Sequence, residues 1–153
     1  MQGLRRGRIH LSSSVMITLV KQPDGSNLCG AAVVATLLGI TLEQAIKRVG
    51  KRGLTEASDL RRALKPRIIM GENVRCLDLR LYPERCLCHL KYRDSRNGHW
   101  FLCWDGMIMD PAPCHGRWAR GLKFGDNRVS HHPRWCPTAY PVSYYPLRKI
   151  DRK

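Results

Sequence analysis

The feature that most constrains this chain is a change of punctuation at Pro66. Before it, apolar residues recur at helical spacing between cap-type residues; after it, short apolar runs alternate with turn residues. A turn, Pro-Asp-Gly-Ser, leads to Asn27, a good helix N-cap, and the run that follows predicts a helix over residues 28–38, closed by Gly39. Thr41 with Gln44 three residues on makes a capping-box pattern for a second helix, Leu42–Val49, ended by Gly50. Thr55 or Ser58 then caps a third, with Leu60, Ala63 and Leu64 on one face and Pro66 as its stop. Ahead of all three, residues 15–20 are β-branched and apolar enough for a short strand.

Beyond Pro66 the expected strands are Ile68–Met70, residues 74–81, Arg85–Tyr92, residues 100–104 and Met107–Met109. Asp105-Gly106 between two apolar runs is the strongest hairpin signal in the chain. From Pro111 onward, six prolines and scattered aromatics predict irregular loops with at most one closing strand. Helices followed by strands predict an α+β fold, with the helical half packed on an antiparallel sheet.

At 153 residues one domain is expected, over residues 15–147, preceded by a flexible basic, Ser-rich arm (residues 1–14) and followed by a basic tail (residues 148–153). Seven cysteines is an odd number, and no signal-type segment opens the chain, so a reducing cytosol with free thiols is the expected compartment. The size and basic character also suit a delivered effector or a phage protein. No membrane span is expected, because residues 15–20 are too few and the run after Cys29 is broken by Thr36, Gly39 and Thr41. The formal net charge of +15 favours acidic partners, either an acidic protein or nucleic acid, or else simply solvates the surface. No zinc-finger spacing, RNA-binding aromatic motif or basic zipper narrows that choice.

The chemistry centres on Cys29. It stands in the first turn of the predicted helix, where unpaired N–H groups and the helix dipole favour an anion, and a thiolate is that anion. Taken alone it is equally a small buried hydrophobe. A nucleophilic cysteine needs a base, an orienting group for that base and donors for an oxyanion. Gln22 precedes the helix across a turn and can aim its amide at the same point as the Cys29 backbone N–H, making an oxyanion hole. His99 follows the Asn97-Gly98 turn at the start of a strand, and Asp110 ends the next strand of the Asp-Gly hairpin. With Trp104 opposite Met107, antiparallel counting sets Trp100 near Pro111 and His99 diagonal to Asp110.

The order glutamine, helical cysteine, histidine, aspartate resembles the papain-like cysteine peptidases, and among them the double-glycine leader peptidases. QPDGSNLCGAAVVATLLG is similar to their glutamine-to-cysteine motif, GLTEASDLRRAL to the following helix and GHWFLCWDGMIMDPA to their histidine-to-Asp-Pro hairpin, together covering roughly residues 18 to 113. The resemblance implies a papain-like fold with the cysteine-bearing helix on the sheet. It also implies a peptide or protein substrate, no cofactor, and a triad of Cys29, His99 and Asp110 with Gln22 at the oxyanion. Asn27, Gly98 and Trp100, beside the cysteine and the histidine, are the expected substrate contacts, although Trp100, Phe101 and Trp104 read equally as core.

Other readings stay open. The same thioester chemistry serves acyl transfer or deamidation, and the shell could instead carry a non-catalytic basic module that binds nucleic acid or an acidic protein. Trp118 and Trp135 sit in the basic, proline-rich stretch, where they either grip a ligand or fasten the chain to the sheet. A metal site is not expected, because Cys86-Leu-Cys88-His89 has no matching second pair and Cys86 and Cys88 share a strand face as packing residues do. Cys114, His115, His131, His132 and Cys136 complete no such pair either.

Overall fold

A computed structural model describes residues 17–23, 25–92, 98–112 and 139–150. The arm over residues 1–14, Trp118, Trp135 and the Cys/His residues between 114 and 136 lie outside them. Three helices come first: α1 (Cys29–Leu38), α2 (Leu42–Val49) and α3 (Ala57–Leu64). The strands follow: β1 (Ile68–Met70), β2 (Val74–Arg75), β3 (Arg85–Tyr92), β4 (Gly98–Trp104), β5 (Met107–Met109) and β6 (Ala139–Lys149). The expected α+β class, a helical half on an antiparallel sheet, is what forms.

Helix α1 is buried along all ten residues, which is why it shows no amphipathic stripe: a helix apolar all round must be covered on every side. It is enclosed by α2, α3 and β4, and Val33, Val34 and Leu37 share one core with Ile46, Leu60 and Leu64 of the helices and Leu87, Leu102 and Trp104 of the sheet. Two helix starts differ from the expectation. Asn27 is exposed and does not cap α1; Leu28 occupies the N-cap position, with no side-chain cap. Glu56, not Thr55 or Ser58, opens α3 through a reciprocal box with Asp59, whose Oδ2 accepts the Glu56 N–H at 2.8 Å. The Thr41/Gln44 box of α2 is as expected.

Residues 17–20 form no strand. Val20 donates its N–H to Thr36 Oγ1 at 2.9 Å, so this segment is strapped along α1, with Ile17 and Val20 against the core. The expected strand over residues 74–81 stops after Arg75. Asp78 accepts the Arg80 N–H at 3.1 Å and pairs with its guanidinium at 2.8 Å, and these local bonds turn Leu79–Leu81 into a 3₁₀ helix.

The sheet order is β1-β6-β3-β4-β5, with β2 also paired to β6 and every pairing antiparallel. The closing strand is therefore an interior one. It pairs Ile69 with Arg148 on one side and Leu87 with Tyr145 on the other, so Arg148 and Lys149 belong to a strand rather than to a tail. Among the described residues no single helix is long and apolar enough to cross a membrane.

Candidate active site

The hairpin forms as the Asp-Gly turn requires, with Asp105 and Gly106 at φ 51° and 81° and Trp104 opposite Met107. The ladder ends at Leu102 and Met109, and the chain then leaves it. That departure carries Asp110 to His99: Nε2 and Oδ1 lie 2.6 Å apart, with both side chains almost completely buried. Asp110 Oδ1 also accepts the Ala112 N–H at 2.9 Å, which fixes the carboxylate from behind.

Nε2 is engaged with Asp110, and a side-chain hydrogen bond between His99 and Cys29 is the second contact that favours the charged imidazole. Burial alone would lower the His99 pKa. The hydrogen bonds to Asp110 and then to Cys29 outweigh it and raise the imidazole to about 9. Cys29 is the first residue of α1, buried at 6% exposure, in a helix turn that no described side chain caps. Its thiol, the imidazole and the carboxylate thus form one hydrogen-bonded chain, an arrangement that moves a proton between sulfur and a neighbouring group.

Gln22 is tied into the same region by its backbone, whose N–H donates to Pro111 O at 2.8 Å. Its buried amide nitrogen is turned to Ser26, donating to the backbone O at 2.8 Å and reaching Oγ at 3.5 Å, while Oε1 has no partner among the described residues. Gly98 is required by close approach, since a Cβ there would sit 2.2 Å from His89 Nε2. Trp100 is a core residue: it is 6% exposed, donates Nε1–H to Thr55 O at 3.3 Å and packs against the His89 ring at 4.7 Å. Its expected contact with substrate is limited to what that exposure allows. Asn27 is exposed beside the helix start.

Several participants escaped the sequence reading. Thr55 wedges beneath the helix, where a Cβ on Gly30 would meet its Oγ1 at 2.0 Å, so the residue after Cys29 has to be glycine. Ala112 and Pro111 act only through backbone atoms, which no residue pattern announces. His89, half-buried, stands between Gly98 and Trp100, and its pKa is lowered by burial and then by the charge on His99.

The opposite face of the sheet carries a second cluster. Cys103 of β4 pairs with Cys86, so the neighbouring strand supplies a third thiol to Cys86 and Cys88 that spacing along one strand does not reveal. No protein-family model matches the chain, and no curated protein matches it.

Proposed function

We propose that the chain is a papain-like cysteine peptidase, a thiol hydrolase that cleaves a peptide, isopeptide or related amide bond through a thioester. The observation that carries this reading is the hydrogen-bonded chain from Cys29 through His99 to Asp110. Cys29 Sγ attacks the carbonyl carbon, and the charge that develops on oxygen is met by the Cys29 backbone N–H and by the Gln22 amide once it turns from Ser26. His99 gives its proton to the departing amine as the C–N bond breaks. It then takes a proton from water, which attacks the thioester and returns the thiol. Asp110 keeps Nε2 engaged so that the other nitrogen faces sulfur throughout. The helical half that supplies the cysteine and the sheet that supplies the histidine and aspartate are the division of labour a papain-like fold uses.

The test is labelling by a peptidyl vinyl sulfone, with digestion of a peptide library read by mass spectrometry. One adduct is expected, on Cys29. Cys29→Ala should leave the fold intact and end both labelling and cleavage; a Cys29→Ala chain that still cleaves overturns the reading. Intact product masses also separate the alternatives on the same thioester: hydrolysis splits a chain, deamidation adds about one dalton and acyl transfer adds the acyl group. The formal net charge of +15 favours a basic binding module as the reading that remains if Cys29 is inert. Binding to nucleic acid or an acidic protein would then fall steeply with salt and ignore Cys29→Ala.

A further inference from the structure

Alternate residues of β3 and β4 face opposite sides of the sheet, and the side away from α1 holds its own small core. Cys86, Cys88 and Cys103 lie at its centre, each at 0% exposure. The sulfurs of Cys86 and Cys88 are 3.5 Å apart, those of Cys88 and Cys103 also 3.5 Å, and all three lie within 4.8 Å of one another. Cys76 packs on the same cluster, from the segment that leads into the 3₁₀ turn, and its Sγ donates to Asp78 O at 3.4 Å.

If these cysteines served only as small hydrophobes, they would be spread through both cores. The larger core, which includes α1, contains a single cysteine, Cys29, and that residue is engaged with His99. Four of the chain's seven cysteines instead converge on one patch a few residues across. A tetrahedral ion with metal–sulfur bonds of about 2.3 Å spaces its sulfurs about 3.8 Å apart. The separations among Cys86, Cys88 and Cys103 need only small side-chain adjustments to reach that spacing, whereas Cys76 stands outside that 4.8 Å group and has to swing in as the fourth ligand. The donors are all sulfur, with no carboxylate or imidazole among them, which selects a thiophilic d¹⁰ cation over hard ions.

We propose that Cys86, Cys88 and Cys103, completed by Cys76 turning from Asp78 O, form a closed four-sulfur site for Zn²⁺ on the face of the sheet opposite the candidate active site. Binding breaks four S–H bonds and forms four Zn–S bonds; the protons go to solvent and no electron is transferred. The resulting double negative charge sits in a chain of formal net charge +15. A closed site of this kind has a structural role, fastening the segment between β2 and β3 onto the sheet.

The experiment uses the full chain carrying Cys29→Ala, so that the active-site thiol cannot contribute, prepared under reductant and titrated with Co²⁺ and then with Zn²⁺. One equivalent of Co²⁺ is expected, with sulfur-to-cobalt charge transfer and the intense visible bands of a tetrahedral site, and Zn²⁺ should displace it. Cys103→Ala should abolish that spectrum, and Cys76→Ala, at a partly exposed position, should weaken it without loss of far-ultraviolet circular dichroism. Should Cys103→Ala fail to fold, the Cys76→Ala spectrum and the stoichiometry of the Cys29→Ala chain still decide. A folded Cys29→Ala chain that takes up no Co²⁺, or a spectrum unchanged by Cys103→Ala or by Cys76→Ala, overturns the proposal. The outcome is independent of the reading of Cys29.

Discussion

His99 and Asp110 are eleven residues apart in the chain and 2.6 Å apart in space, joined through Nε2 and Oδ1 at the point where the β4–β5 ladder stops. The pairing makes the orientation of the imidazole depend on one carboxylate. Asp110→Asn preserves the shape and removes the charge, so the His99 pKa should fall from about 9 towards or below its ordinary 6.5 as burial regains control. Imidazole NMR titration reads that fall directly. On the proposed mechanism, turnover should drop on the order of 10³–10⁴-fold, with the fold unchanged by circular dichroism.

The same pair sets a pH dependence of stability. The folded-state pKa of His99 is raised above its unfolded value, to about 9, so the stabilisation is fully present below about 6.5 and is lost as pH rises through about 9. Urea unfolding at about pH 6 and about pH 8, a window below the titration of the buried Cys88 and Cys103 thiols and of Tyr82, should therefore show a lower midpoint at the higher pH. Asp110→Ala should remove most of that difference. A midpoint difference that survives in Asp110→Ala would assign the effect to another group.

Gly98→Ala tests the close approach behind the histidine. The added Cβ would lie 2.2 Å from His89 Nε2 and 3.1 Å from Leu90 O, and the His89 ring is backed by Trp100 at 4.7 Å, so it cannot simply swing away. A loss of about 1–3 kcal/mol is expected, the usual cost of overpacking. His89→Ala should recover most of it in the double variant, because it removes the nearest atoms. Denaturant midpoints of the four chains give the coupling energy.

The parts of the fold that announce themselves locally were legible in the residues. The Thr41/Gln44 box, the Asp105-Gly106 turn and the stop before Pro66 each rest on side chains acting within a few residues, and each bounds its element as read. His99 and Asp110 do come together, but through the path of the chain after the ladder ends at Leu102 and Met109, not through the register counted out from the turn. What failed was decided at a distance. Residues 17–20 have strand-like composition, but Val20 gives its N–H to Thr36 Oγ1 of α1 instead of to a strand. The one closing strand allowed in this stretch does form as β6, but Pro141 and Pro146 hid its interior place, since proline is expected at sheet edges. In place, the register shifts between His89 and Leu90, just where Pro141 meets Leu90, and Pro146 still supplies a carbonyl to the Gly71 N–H at 2.7 Å. Asn27 looked like a cap by type, and only the path of the chain into α1 decided that Leu28 takes the position.

The interior place of β6 dictates an order of assembly. Strands β3, β4 and β5 can zip together as soon as they are synthesised, because each pairs with the next along the chain. Strands β1 and β2 have no such neighbour; among the described residues their partner in the sheet is β6, whose residues lie about seventy to eighty positions further on. Until residues 139–149 have left the ribosome, the meander keeps one edge of β3 open, and the link from helices through β1 to the sheet is unmade. The native chain is thus closed by its last strand, as a keystone closes an arch, and the interval before it arrives is when this protein is most exposed to pairing with the wrong partner.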